Sequence, residues 1–199
     1  LQDPLDAAMA WIRNAEERAP DGFLRYQCAA QGGLRNQGWK DSDDAVHHAD
    51  GRLAEGSIAL CEVQAYSYGA RQAMAHIQRH FGYDAEAERL LKEASQLRRR
   101  FQDAFWCERI GTYALALDGQ GEACEVRSSN AGHCLWTGLA STSRSASSKW
   151  VTSAFRYSAP LARSWACASA MTGAGRRPIV LWDCRVWRWC YWAIILLSA

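Results

Sequence analysis

Several absences narrow the chemistry open to this 199-residue chain. A formal charge of +2 offers no basic excess of the kind that marks a nucleic-acid-binding face, so no nucleic-acid partner is expected. The eight cysteines contain no C-x-x-C pair, and their irregular spacing argues against both a zinc site and a disulfide framework. Cys61 and Cys134 instead lie in apolar stretches, as small buried thiols do, which points to a reducing, cytoplasmic compartment. There is no G-x-S-x-G elbow and no Cys and His placed for nucleophilic catalysis. No basic segment followed by an apolar core opens the chain, so no signal peptide is visible, and Leu1 in place of an initiator Met suggests a fragment. The apolar, Trp-rich stretch from Ile179 to Ala199 is interrupted by Asp183, Arg185 and Arg188, so no membrane span is expected.

What is present is uneven. Overall, 49% hydrophobic and 22% charged residues describe a globular protein and exclude disorder of the whole. Residues 1–140 hold 15 basic and 20 acidic residues, net −5, whereas 141–199 hold 8 basic residues against the single acid Asp183, net +7. The second segment also carries six of the ten tryptophans, no histidine and no glutamate, and begins with a low-complexity run from Ser141 to Ser148. Two regions follow: 1–140, with helical patterning, and an irregular tail over 141–199.

Asp3-Pro4 reads as an N-cap and first helical position, and the apolar spacing of Leu5, Ala8, Trp11, Ile12 and Ala15 predicts a helix over 4–18. Residues 23–56 show no sustained period and are rich in Gly, Asn, Asp and Gln; a loop this long in a compact domain is usually functional. A second helix is predicted from the cap Ser57 to Phe81, closed by Gly82; only Glu62 and Arg71 are charged over its first five turns, so it should be buried nearly all round. A third, capped by Asp84, places Leu90, Leu91, Ala94, Leu97, Phe101 and Phe105 on one stripe, with charges elsewhere, and reads as an outer helix. Thr112–Leu117 reads as extended and closed by Asp118-Gly119, and Ser128-Ser129-Asn130 precedes a fourth helix over 131–140. Inner, outer and inner helices without alternating strands predict an all-α, two-layer fold.

The long loop gathers Asn36, Gln37, Trp39, Lys40, Asp41, Ser42, Asp43, Asp44, His47 and His48. Carboxylates beside a tryptophan suit carbohydrate, whose hydroxyls bond carboxylates and whose C–H face packs on an indole. An acidic, Asn/Gly-rich loop is also what a solvated turn looks like. The run Asp41-Ser42-Asp43-Asp44 lacks the glycine and closing glutamate of a calcium loop, and His76 and His80 share a helical face without the Glu of H-E-x-x-H. No metal site is therefore predicted, no cofactor is implied, and carboxylate-driven hydrolysis is the enzyme chemistry that survives.

The segment Gly33-Leu34-Arg35-Asn36-Gln37-Gly38-Trp39-Lys40-Asp41-Ser42-Asp43-Asp44 resembles the G-L-x-N-Q-G-W-K-D-S-x-D motif of bacterial glycogen-debranching, amylo-α-1,6-glucosidase-like glycoside hydrolases. Collinear matches follow: Ile58 to Tyr66, Phe105-Trp106, Tyr113 to Gly119, and Ser129 to Gly138, so the resemblance covers about residues 4–140. Ser57 stands where the family often has Pro, and Ala65 where it often has Gly. The resemblance implies a partial (α/α)6 toroid of the six-hairpin glycosidase type acting on an oligosaccharide or glucan. It further implies an inverting mechanism with Asp41 as general acid, Trp39 as a stacking wall, and Asp43 or Asp44 binding sugar hydroxyls. With Lys40 adjacent, an acid at Asp41 needs burial to raise its pKa. Asn36 and Gln37, on the same loop, are further substrate-binding candidates. Gln64 and Tyr66 on the second helix, and Asn130 and His133 at the fourth, either line the pocket or serve the core.

A full toroid needs on the order of 350–400 residues, and an inverting site needs a second carboxylate, yet after Glu125 only Asp183 remains. The chain is therefore expected to be a catalytically incomplete fragment whose residues 141–199 match translation out of frame and lack a packed fold. The competing expectation is a non-catalytic all-α carbohydrate-binding or interaction module.

Overall fold

The computed structural model describes residues 2–28 and 33–140. The expectation for the tail, 141–199, falls outside the described residues. Four helices dominate: α1 (Gln2–Arg18), α2 (Cys61–His80), α3 (Asp84–Phe105) and α4 (Asn130–Trp136). Between them lie four two-residue strands, β1 (Ala59–Leu60), β2 (Trp106–Cys107), β3 (Thr112–Tyr113) and β4 (Ala116–Leu117), paired antiparallel as β1–β4 and β2–β3. The described chain is thus helix-rich, with extended segments confined to connections. Among the described residues no helix is long and apolar enough to cross a membrane.

The α3 stripe forms as its spacing predicts, except that Leu91 is only half-buried and Ala87 joins the buried face. Ala87, Leu90, Ala94, Leu97, Phe101 and Phe105 are all fully buried, while Arg99 and Arg100 face outward. Phe101 stacks on Phe105 at 4.6 Å between ring centroids, and Phe23 meets Phe105 edge-on at 5.3 Å. These rings, with Tyr68 of α2, Tyr113 and Cys134, make the main core. A second cluster (Val46, Ile58, Leu60, Leu115, Cys124) lies under the long loop, and a third (Met9, Met74, Leu90) joins α1 to the α2–α3 pair.

Several helix ends differ from the sequence expectation, three of them by more than one residue. Helix α2 begins at Cys61, not Ser57, because Ile58 exchanges both backbone hydrogen bonds with Tyr26 and because Ala59 and Leu60 pair with Leu117 and Ala116. Helix α4 stops at Trp136, short of Ala140, where Gly138 turns into the left-handed region at φ +79° and the Ala140 N–H bonds the Cys134 carbonyl at 2.9 Å. Helix α1 already includes Gln2, ahead of the Asp3 cap position. Gly82, with φ +81°, ends α2 as expected of a C′ glycine.

Helix α1 is held by charge as well as by apolar contact. The Arg71 guanidinium on α2, only 3% exposed, pairs with Glu16 of α1 at 2.6 Å and with Glu93 of α3 at 3.4 Å. The Ser67 hydroxyl donates to the same Glu16 at 2.7 Å. Arg13 extends the network to Glu86 and Glu93, each at 3.3 Å. Removing one partner of such a buried pair strands the other charge in a low-dielectric site. Arg71→Ala is accordingly expected to cost about 3–5 kcal/mol, whereas Arg52→Ala, on an exposed pair with Glu122, is expected to cost far less. Urea unfolding followed by far-UV circular dichroism measures both; equal losses would show that the network carries no special weight.

Candidate functional site

The polar loop is braced from inside before it presents anything outward. Asn36, buried, accepts a hydrogen bond from the Tyr26 hydroxyl at 2.9 Å and donates its amide to the Ser42 carbonyl at 2.6 Å, closing residues 36–42 into a compact turn. Burial, reinforced by the nearby Glu62 carboxylate, drives the Tyr26 phenol well above its ordinary pKa, so it stays a neutral donor. Gly38 then passes so close to the start of α2 that a Cβ there would sit 2.3 Å from Leu60 Cδ1 and 2.9 Å from Glu62 Oε1. Leu60 is fully buried and has no room to yield, so only glycine permits this approach.

The next residue, Trp39, lies over α4. Its ring is 4.9 Å from that of His133, tilted by 55°, and the Tyr66 ring meets the same imidazole edge-on at 5.6 Å. The Tyr66 hydroxyl and His133 Nδ1 are hydrogen-bonded at 2.7 Å. Three aromatic groups from three separate elements thus form one shelf, with the Trp39 indole 42% exposed at its rim. An exposed indole backed by fixed rings is a rigid apolar platform.

Beneath the shelf lies a carboxylate that the sequence pattern does not single out as functional. Glu62, in the first turn of α2, is fully buried; its Oε1 accepts the Trp39 backbone N–H at 3.3 Å, and Cys61 Sγ lies 3.6 Å from Oε2. Burial pushes this carboxyl above the usual range, partly offset by its own backbone N–H, that of Trp39 and the Asn130 side chain. Asn130, 1% exposed, leaves its Oδ1 without a hydrogen-bond partner among the described residues. The sequence signal for Glu62 is that it and Arg71 are the two charges over the first five turns of a helix read as buried, and a buried charge has to meet a partner inside the fold.

The sequence-derived candidates therefore divide. Trp39, Tyr66, Asn130 and His133 come together, and Asn36 braces them. Asp41, Asp43, Asp44 and Gln37 sit on the same loop but are exposed, so the burial expected around Asp41 is not present. Gln64 does not line the shelf. Its amide donates to the Leu24 and Leu60 carbonyls at 2.8 and 3.1 Å and accepts the Leu24 N–H at 3.0 Å, so it ties the backbone that follows α1 to the start of α2.

Elsewhere, ligand atoms of His48, Asp118 and Glu122 lie within 4.8 Å of one another. Asp118 Oδ1 already accepts the Gln120 and Glu122 backbone N–H groups at 2.9 and 2.8 Å, and Glu122 pairs with Arg52. The cluster joins the turns around residues 48–52 and 118–122. A cleft of about 320 Å³ opens between α1 and the α2–α3 pair, lined by Met9, Arg13, Gln78, Tyr83 and Glu86 among others, remote from the shelf. His76 and His80 are exposed on α2.

No protein-family model matches the chain, and no curated protein matches it in sequence.

Among the described residues Cys28 is exposed, and Cys61, Cys107, Cys124 and Cys134 are buried thiols. Burial pushes the Cys107 thiol up to about 11 and Cys124 up to about 12, and raises Cys61 well above its ordinary value. A thiol whose pKa lies above the solution pH stays protonated and is a poor nucleophile. Iodoacetamide at pH 8 is expected to label Cys28 at least about tenfold faster than these three, as read by peptide mass spectrometry; equal labelling would contradict the buried arrangement.

Proposed function

We propose that this face is an oligosaccharide site on a partial (α/α)6 scaffold of the glycogen-debranching, amylo-α-1,6-glucosidase-like type. The observation that carries the reading is the Trp39 indole, exposed at the rim of the Trp39–His133–Tyr66 shelf and flanked on its own loop by Asp41, Asp43 and Asp44. A pyranose laid on the indole would present its hydroxyls to those carboxylates. The collinear motifs from Gly33 to Gly138 support the same reading.

In an inverting hydrolysis, Asp41 is the general acid that protonates the glycosidic oxygen, and a second carboxylate about 6.5–9.5 Å away activates the water. The exposure of Asp41 makes substrate itself the source of desolvation: a glucan covering Trp39 would also cover the neighbouring carboxyl and exclude water from it. The base is assigned to no described residue, and the chain alone is read as catalytically incomplete. The chemistry uses carboxylates without a cofactor, and the buried free thiols fit a reducing, cytoplasmic setting. A non-catalytic binding module is the second reading, favoured by the exposure of Asp41.

Maltooligosaccharide titration monitored by tryptophan fluorescence tests the site. Trp39→Ala is expected to weaken binding about tenfold or more, while Asp41→Asn leaves affinity within about threefold, since the amide keeps the shape of the side chain and only the proton donor is lost. In a hydrolytically competent form of the fold, Asp41→Asn should lower kcat by about 10²–10⁴ with little change in KM. Binding with an unchanged kcat would leave the module reading standing; absence of any Trp39-dependent binding would remove both.

A further inference from the structure

Glu62 is a fully buried carboxylate that cannot touch a ligand lying on the shelf, because the loop backbone and Leu60 cover it. Its surroundings are unusually one-sided. The Trp39 N–H reaches Oε1 at 3.3 Å, the Gly38 backbone passes within a methyl group's width of the same oxygen, and the Asn130 side chain approaches from α4. Tyr26, which hooks Asn36 at 2.9 Å, lies near enough for its phenol to sense the Glu62 charge. Every one of these contacts belongs to the loop or to an element that supports it.

We propose that Glu62 is the positioning residue of the shelf: its carboxylate receives the Trp39 N–H, fixes the Gly38–Trp39 backbone over the first turn of α2, and thereby sets the indole against His133. The physical reason is that a backbone N–H facing a buried carboxylate has one favourable place to be. A hydrogen bond in a water-poor site is worth more than the same bond at a surface, and losing it leaves the N–H unpaired. The anchor acts at the residue carrying the indole, so an ångström of loop movement is an ångström of platform movement. Gly38 is the second half of the device, since any side chain there would push the loop off the carboxylate. As a statement about loop geometry the proposal stands alone; its consequence for ligand affinity rests on the carbohydrate reading above.

The test is amide hydrogen exchange by NMR on the full chain, with the Trp39 backbone amide as the reporter and the amides in the middle of α2 as the internal control. Glu62→Leu fills the space without an acceptor, and should accelerate exchange at Trp39 about tenfold or more while α2 stays protected. Glu62→Gln, whose carbonyl oxygen can still accept the Trp39 N–H, should restore protection to within about threefold. A Trp39 amide unmoved by Glu62→Leu would overturn the proposal, as would Glu62→Gln behaving like Glu62→Leu. Should Glu62→Leu release the α2 amides too, Gly38→Ala decides: it should unprotect Trp39 with α2 intact, and retained protection there counts against the clamp. Maltooligosaccharide titration of the same variants separates the two claims. Glu62-dependent protection without sugar binding leaves the clamp and removes the carbohydrate reading; Trp39-dependent sugar binding that Glu62→Leu leaves unaltered, with protection unaltered, does the reverse.

Discussion

Helix α2 is enclosed by α1, α3, α4 and the long loop, yet it carries Glu62, Gln64, Ser67, Arg71 and Gln78 as buried polar side chains. A polar group taken out of water must find a partner or destabilise the fold by about 1–3 kcal/mol. Each of these residues finds its partner on a different part of the chain. Glu62 takes the loop at Trp39, Gln64 takes the backbone at Leu24, Ser67 and Arg71 take Glu16 of α1, and Gln78 reaches Asp6 at 3.4 Å. The polar satisfaction of one helix is therefore what assembles the remaining elements around it.

The candidate site is a product of that arrangement. Where α2 meets the loop, the partner of a buried carboxylate is the backbone of the residue whose side chain forms the exposed platform. One peptide unit thus serves both the buried carboxylate and the placement of the exposed indole. On the other side, α4 brings His133 beneath the indole and Asn130 beside Glu62 from a single short helix, so the placement of seven residues settles two of the contacts. The exposed acids of the loop stand outside this braced region, which is why they are free to face a ligand and why the protein alone does not desolvate them.

Helix identity was largely legible in the residues, and helix limits were less so. The α3 stripe and Gly82 carry their own local reasons, spacing and a positive φ, and both appear as read. The start of α2 was misplaced because Ser57 is a good cap in isolation, while Ile58 to Leu60 are claimed by pairing with Tyr26 and with Ala116–Leu117, partners roughly 30 and 60 residues distant along the chain. Thr112–Leu117 was legible as extended, but its division into two strands, one pairing back to β2 and one to β1, depends on which neighbours lie alongside.

For the site, residue types alone marked the loop: an indole among carboxylates and amides, in a stretch without periodicity. They also placed Tyr66, Asn130 and His133 as candidates without distinguishing pocket from core. Only the tertiary structure put Trp39, Tyr66 and His133 in contact, turned Gln64 toward backbone, left Asp41 exposed, and set Glu62 under the loop. The division has a physical cause. Periodicity, capping and glycine conformation are properties of a few consecutive residues, so the sequence by itself determines them; the partner of a buried polar group is chosen by which distant segment the packed core brings within hydrogen-bond reach.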